Sequence, residues 1–294
     1  LASDGTYPAI VRASATTLAQ VMAHPETLET VRKLVRDPAP SVRIAALGML
    51  DNLEASVRIN VATPLLSDNV RGVRIEAARL MADVPDERLP TASRQERQVA
   101  LQEYESALKL DADWPSVNVN LGNLRLRQGR TDEAIAAFTQ AITLDRQLAA
   151  GYVNLADLLR QLQREDEAEK TLRRGVAALS ANADLQHALG LSMARQGKQA
   201  EAVVTLAKAA RLAPDNLRYA YVYGIALHSS GRPSDARNVL RAANRRHPEN
   251  VEILNALIAI SRELGDTSAA QTYAKQATAL IPQHQEIGSR LSQI

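Results

Sequence analysis

The chain has 294 residues, 46% of them hydrophobic but only 3% aromatic, with no cysteine and a formal net charge of +2. Ala and Leu supply most of the apolar mass, which suits closely packed helices better than sheets, where β-branched and aromatic residues are favoured. The missing cysteines exclude disulfides, thiolate zinc sites, iron–sulfur clusters and thioether-linked haem within the chain. Interspersed acids and bases argue against a nucleic-acid partner. No apolar run approaches the roughly 18 residues of a membrane span. The chain starts at Leu1 with no charged-then-apolar signal segment, which reads as a mature product or an excised fragment of something longer.

Residues 1–85 repeat at a spacing of 31: "VRASA" at 11–15, "VRIAA" at 42–46 and "VRIEA" at 73–77. Asp37 and Asp68 precede the last two. "RDPAPSVRIAALGML" has an Asp-containing turn, then Val-Arg, then Ala and Leu on one face. It resembles the second helix of a HEAT repeat, so about two and a half HEAT-like units are expected here, the first truncated.

From Pro115 to His284 the period becomes 34. Gly122, Ala156, Gly190 and Gly224 share one register, and Leu121, Leu155, Leu189, Tyr223 and Leu257 sit one place earlier. Twelve places after the glycine register come Ala134, Ala168, Ala202, Ala236 and Ala270. Seven places further come Ala141, Gly175, Ala209, Ala243 and Ala277. Gly129, Gly197, Gly231 and Gly265 recur mid-repeat, with Gln163 the one departure, and Pro214, Pro248 and Pro282 recur near the repeat's end. This resembles the tetratricopeptide repeat (TPR), in five units without insertion. Small residues stand where paired helices A and B approach closely. The mid-repeat glycine ends helix A, the proline ends helix B, and Pro233 sits just inside the start of a helix B. In "RYAYVYG", Tyr219, Tyr221 and Tyr223 alternate like a strand, but the register puts them on helix A of the fourth unit.

Residues 86–114 form a junction. "RQVALQEYESALKLDAD" places Ala100, Tyr104, Ala107 and Leu110 in register with half a TPR unit, and Ser93 and Glu96 have capping-box spacing, which predicts a helix start. Residues 285–294 are expected to begin a capping helix. The fold expected is all-α, a solenoid of helical hairpins with HEAT-like units followed by a TPR superhelix. The succession of repeats is also similar to the carboxyl-terminal part of bacterial TPR-containing multihaem c-type cytochromes. That resemblance implies a haem domain upstream in a parent protein and a periplasmic setting, the cytoplasm being the alternative. No Cys-x-x-Cys-His motif is present, so no haem role passes to any residue here.

Catalytic, metal and cofactor residues are not expected. His24, His187, His228, His247 and His284 show no ligand spacing, and the acids of "TDEAI" at 131–135 and "DEAEK" at 166–170 open B helices, where they complement the dipole. The expected function is a non-catalytic scaffold for a peptide or protein, without nucleic acid or membrane insertion. The alternative is a docking segment of a larger periplasmic electron-transfer protein. In TPR arrays the exposed face of helix A lines a groove. Here that face offers Asn120, Asn123, Asn154 and Asp157, then His187, Leu191, Tyr221, Ile225 and His228. Arg127, Arg160, Arg195 and Arg262 recur near the A-helix ends and read either as dipole complements or as a basic row for an acidic partner. Tyr223 is assigned to the A–B interface and Tyr221 to the groove, and Tyr219, near the rim, is assigned to neither. Some TPR proteins grip a terminal carboxylate with a lysine, two asparagines and two further basic residues. Asn123 and Asn154 match the asparagines, but Val119, Asp184 and Ala188 replace the basic residues, so that clamp is not expected.

Overall fold

The computed structural model describes the backbone of residues 1–19 and 27–291 and the side chains of residues 1–19 and 28–280. Among the described residues there are sixteen α-helices and no strand, as the two periods require. The chain divides into two compact units, Leu1–Ala141 and Ile142–Ile294.

The first unit begins with α1 (Ala9–Ala19), α2 (Thr27–Leu34), α3 (Pro40–Gly48), α4 (Ala55–Ala62) and α5 (Arg71–Leu80). The 31-residue period becomes a ladder of arginines. Arg12 pairs with Asp37, Arg43 Nη2 lies 2.8 Å from Asp68, and Arg74 Nη2 lies 2.7 Å from Glu103. Arg43 and Arg74 also donate to the backbone carbonyls of Asp37 and Asp68, both at 2.8 Å. Each aspartate in turn shapes its own turn, Asp37 accepting from the Ala39 amide at 2.9 Å and Asp68 from the Val70 amide at 2.8 Å. Thus one Asp–Arg phrase closes a turn and ties it to the neighbouring hairpin. Arg12 and Arg43 are buried, and truncating one member of such a pair strands the other's charge.

After these come α6 (Thr91–Leu110) and α7 (Pro115–Arg127). The capping box expected at Ser93 and Glu96 is corrected. Pro90 is the N-cap of α6, with φ −54°, and no side chain caps the helix. The fixed proline φ admits the chain to the helix early, so Ser93 falls at the third helical position and is buried there.

The 34-residue period becomes helix pairs: α7 with α8 (Thr131–Leu144), α9 (Ala149–Gln161) with α10 (Glu165–Ala178), and α11 (Ala183–Arg195) with α12 (Gln199–Leu212). Two more follow, α13 (Leu217–Ser229) with α14 (Pro233–Arg246) and α15 (Val251–Glu263) with α16 (Thr267–Leu291). The strand-like alternation at Tyr219–Tyr223 lies on α13. All five register alanines, Ala134, Ala168, Ala202, Ala236 and Ala270, are buried. A Cβ added at Gly122 would stand 2.4 Å from the Phe138 ring, at Gly190 2.6 Å from Leu206 Cγ, and at Gly224 2.7 Å from Leu240 Cγ. The last repeat inverts the sizes, with Ile258 in the glycine register and Ala274 in the register of Phe138, Leu206 and Leu240.

The break expected at Pro282, with a separate helix from residue 285, is also corrected. α16 runs through Pro282 to Leu291, and residues 292–294 lie outside the described set. The physical reason is a missing cap. Asn182, Asn216 and Asn250 accept from the amides of Leu185, Tyr219 and Ile253 at 2.9, 3.4 and 2.9 Å, starting α11, α13 and α15. His284 stands in that register after Pro282, so no asparagine starts a new helix there.

Four mid-repeat turns use glycine at φ between +72° and +75°, and Gln163 takes the same conformation at φ +60°. A side chain there carries a steric cost that glycine does not. Gln163→Gly should therefore raise the unfolding free energy by about 0.5–1 kcal/mol after the extra freedom of the unfolded chain is subtracted. Urea denaturation measures this, and unchanged or lower stability would contradict it.

Candidate functional site

In the second unit, α9, α11, α13 and α15 are the A helices. Their spacing of three and four residues brings Ala150, Val153, Asn154 and Asp157 of α9 to one face, and Asp184, His187, Ala188, Leu191 and Arg195 of α11 to another. These faces border a cleft of about 480 Å³, with Ala168 and Leu172 of α10 beneath and Asn216, Arg218 and Tyr219 on the third side. The volume lies within the range of pockets that bury most of a small ligand.

One wall of the cleft is a polar cluster set in apolar surroundings. His187 and Tyr219 are both buried, with ring centroids 4.5 Å apart and planes inclined by 32°. Tyr219 donates its hydroxyl hydrogen to Asp184. Burial first, then the hydrogen bond and charge of Asp184, push the Tyr219 pKa up to about 12. Neither ring nitrogen of His187 has a hydrogen-bond partner. Burial, helped by the positive charge of Arg218 and opposed by Asp184, lowers its pKa to about 4. The imidazole is therefore neutral at ordinary pH.

Asn154, Asp157, His187, Leu191 and Arg195, assigned to the groove from sequence, meet in this cleft. His187 forms its buried wall rather than an exposed contact. Tyr219, assigned to neither side from sequence, is the buried ring packed on His187. Tyr221 is half-buried and borders a second hollow of about 420 Å³ with Arg218, Val222 and Asn250. Ile225 is half-buried on the same helix, and His228 Nε2 lies 2.5 Å from Glu263. Tyr223 is half-buried against the apolar cluster around Leu227 and Leu240. In the first unit, Asn120 and Asn123 are exposed on α7. Three arginines of the basic row stand near acids: Arg127 lies 2.9 Å from Asp51, Arg195 2.9 Å from Glu165, and Arg160 3.7 Å from Asp157.

Asp184 and Tyr219 were missed because their link spans 35 residues and so escapes a same-register comparison. A second device was visible but unread. Asn118, Tyr152 and Gln186 share one register and donate to the carbonyls of Ala112, Arg146 and Ser180 at 2.6, 3.2 and 3.0 Å, pinning the turn before each helix A. Among the described residues no group of three or more His, Cys, Asp or Glu could hold a metal ion. No described helix is long and apolar enough to cross a membrane.

Residues 125–191 and 193–260 match a family described as tetratricopeptide repeat, residues 93–149 match a second family of that description, and residues 1–82 match HEAT repeats. The chain is a TPR/HEAT-like repeat protein. No curated protein matches it. Among solved structures, a crystal structure of MamA aligns with TM-score 0.52 and 17% identity, over 58% of this chain and 94% of that one. A second MamA structure gives 0.51 and 18%, over 56% and 96%. YrrB, described as a TPR protein with an unusual peptide-binding site, gives 0.49 and 17%, over 64% and 97%. The MamA identities establish a shared fold and nothing further.

The His187 environment gives a pH dependence of known sign. Between pH 6.5 and about 4 the unfolded chain binds a proton at this residue that the folded chain does not. Stability should therefore fall as pH drops through that window. His187→Phe should flatten the wild-type slope of unfolding free energy against pH there. Parallel slopes in the two proteins would contradict a neutral, buried imidazole.

Proposed function

We propose that this protein is a non-catalytic interaction scaffold holding a peptide or protein segment against the A-helix wall of its second unit. The observation that carries the reading is the cleft itself, which gathers Asn154, Asp157, His187, Leu191 and Arg195 from two successive A helices. Side-chain amides both donate and accept, so they suit an extended backbone. Apolar hollows flanked by such groups suit side-chain anchors. Tyr221, beside the second hollow, supplies a further anchor, with Ile225 and His228 beyond it on α13. Asn120 and Asn123 on α7 carry the same amide chemistry within the first unit. Arg127, Arg160 and Arg195 orient local acids and are not themselves the attraction.

The test begins with peptides selected from a displayed random library on the full chain, their affinities measured by calorimetry. Tyr221→Ala should cost about 2 kcal/mol as an anchor, and Asn154→Ala about 1 kcal/mol as an ordinary hydrogen bond. The double variant should lose roughly the sum. Unchanged affinity in that double variant would exclude this wall as the principal site.

A further inference from the structure

We propose that the cleft between α9 and α11 takes one bulky uncharged side chain of the partner segment, of the leucine, methionine or phenylalanine class, with an acidic residue of that segment beside it at Arg218. This rests on the groove reading above and names the chemistry of its occupant.

The depth of the cleft is apolar. Val153 comes from α9, Ala188 and Leu191 from α11, and the buried Leu172 from α10. A charged side chain entering here would shed its water and need a partner to replace it. The buried lining offers none. Asp184, which accepts the Tyr219 hydroxyl, Arg195, held by Glu165 at 2.9 Å, and Asp157, 3.7 Å from Arg160, stand exposed at the edge of the cleft and not in its depth. His187 presents a neutral ring whose nitrogens are closed off from solvent. It adds an aromatic surface to the wall and no charge. The depth thus rewards burial of apolar area, while charge is confined to the edge.

The mouth differs from the depth. Arg218 is exposed, borders both hollows and forms no hydrogen bond or ion pair among the described residues. It is the cation with which an acidic neighbour of the anchor residue would pair, and it would repel a basic one. The expected recognition element is therefore a bulky apolar residue adjacent to an aspartate or glutamate.

Capped dipeptides test this directly, since they carry the anchor and its neighbour and little else. N-acetyl-Leu-Asp-amide, N-acetyl-Lys-Asp-amide and N-acetyl-Leu-Lys-amide would each be titrated onto the full chain, with NMR read at the ring signals of His187 and Tyr219. Saturable shifts are expected for Leu-Asp, with binding about tenfold or more weaker for Lys-Asp. Ala188→Trp, which fills the cleft from a half-buried position, should abolish the Leu-Asp shifts. Ala188→Leu serves as a smaller plug if the tryptophan variant does not fold. Arg218→Glu, at an exposed position, should reverse the preference between Leu-Asp and Leu-Lys. Absence of shifts with every dipeptide, equal binding of Lys-Asp and Leu-Asp, or full binding in a folded plugged variant would overturn the anchor. None of these results decides the wider groove reading, which stands or falls with library-selected peptides and the Tyr221→Ala, Asn154→Ala double variant.

Discussion

Each TPR hairpin depends on how closely helix A can lie against helix B. At Gly122, Gly190 and Gly224 the facing side chain occupies the space a β-carbon would need. Buried alanines at Ala134, Ala168, Ala202, Ala236 and Ala270 thin the helix B side of each pair. Such a contact is bistable in size. Either A is small and B large, as at Gly190 and Leu206, or the order reverses, as in the registers of Ile258 and Ala274. Total volume is what the interface fixes, and core packing tolerates exchanges that conserve it.

The functional surface follows from that contact. Once one face of helix A is committed to helix B, helical spacing decides which residues remain for the other face. In α9 and α11 those residues are Asn154, Asp157, His187, Ala188 and Leu191, and they border one cleft. Its charges stay at the exposed edge, where Glu165 holds Arg195, Asp157 faces Arg160, and Asp184 takes the Tyr219 hydroxyl. The depth is an apolar hollow with a neutral histidine in its wall, and Arg218 stands at the mouth, unpaired among the described residues. The HEAT-like hairpins add charge to buried small residues such as Ala46 and Ala77. Arg12, Arg43 and Arg74 each reach an acid supplied by a later segment.

The repeat skeleton was legible because it is written in side-chain size and backbone conformation, which recur at fixed spacing. Gln163 lacked the expected glycine, yet its turn adopts the same positive φ, since the closure of helix A on helix B outweighs the local cost of a side chain. Helix ends were less legible. Ser93 looked like a cap until Pro90 set the entry, and Pro282 looked like a break although no asparagine follows to start another helix. The site was legible as a list of positions but not as chemistry. Register alone placed His187 on the groove face. Its burial and its contact with Tyr219, a ring tied in turn to Asp184, join different registers, and its neutrality follows from that burial. Arg127 and Arg195 were visible as well, but their partners Asp51 and Glu165 lie far off in sequence.

The close A–B contact is tested most directly at Gly190, because two physical effects there have opposite signs. In an isolated helix, Gly→Ala stabilises by about 1 kcal/mol. In this protein the new methyl group would stand 2.6 Å from Leu206 Cγ and 3.2 Å from the Leu206 backbone nitrogen. If the contact governs the fold, chemical denaturation of Gly190→Ala will show a loss of about 1–3 kcal/mol, the cost of overpacking a filled core. A variant as stable as the parent, or more stable, would show that the helices are not held at this distance and would contradict the account.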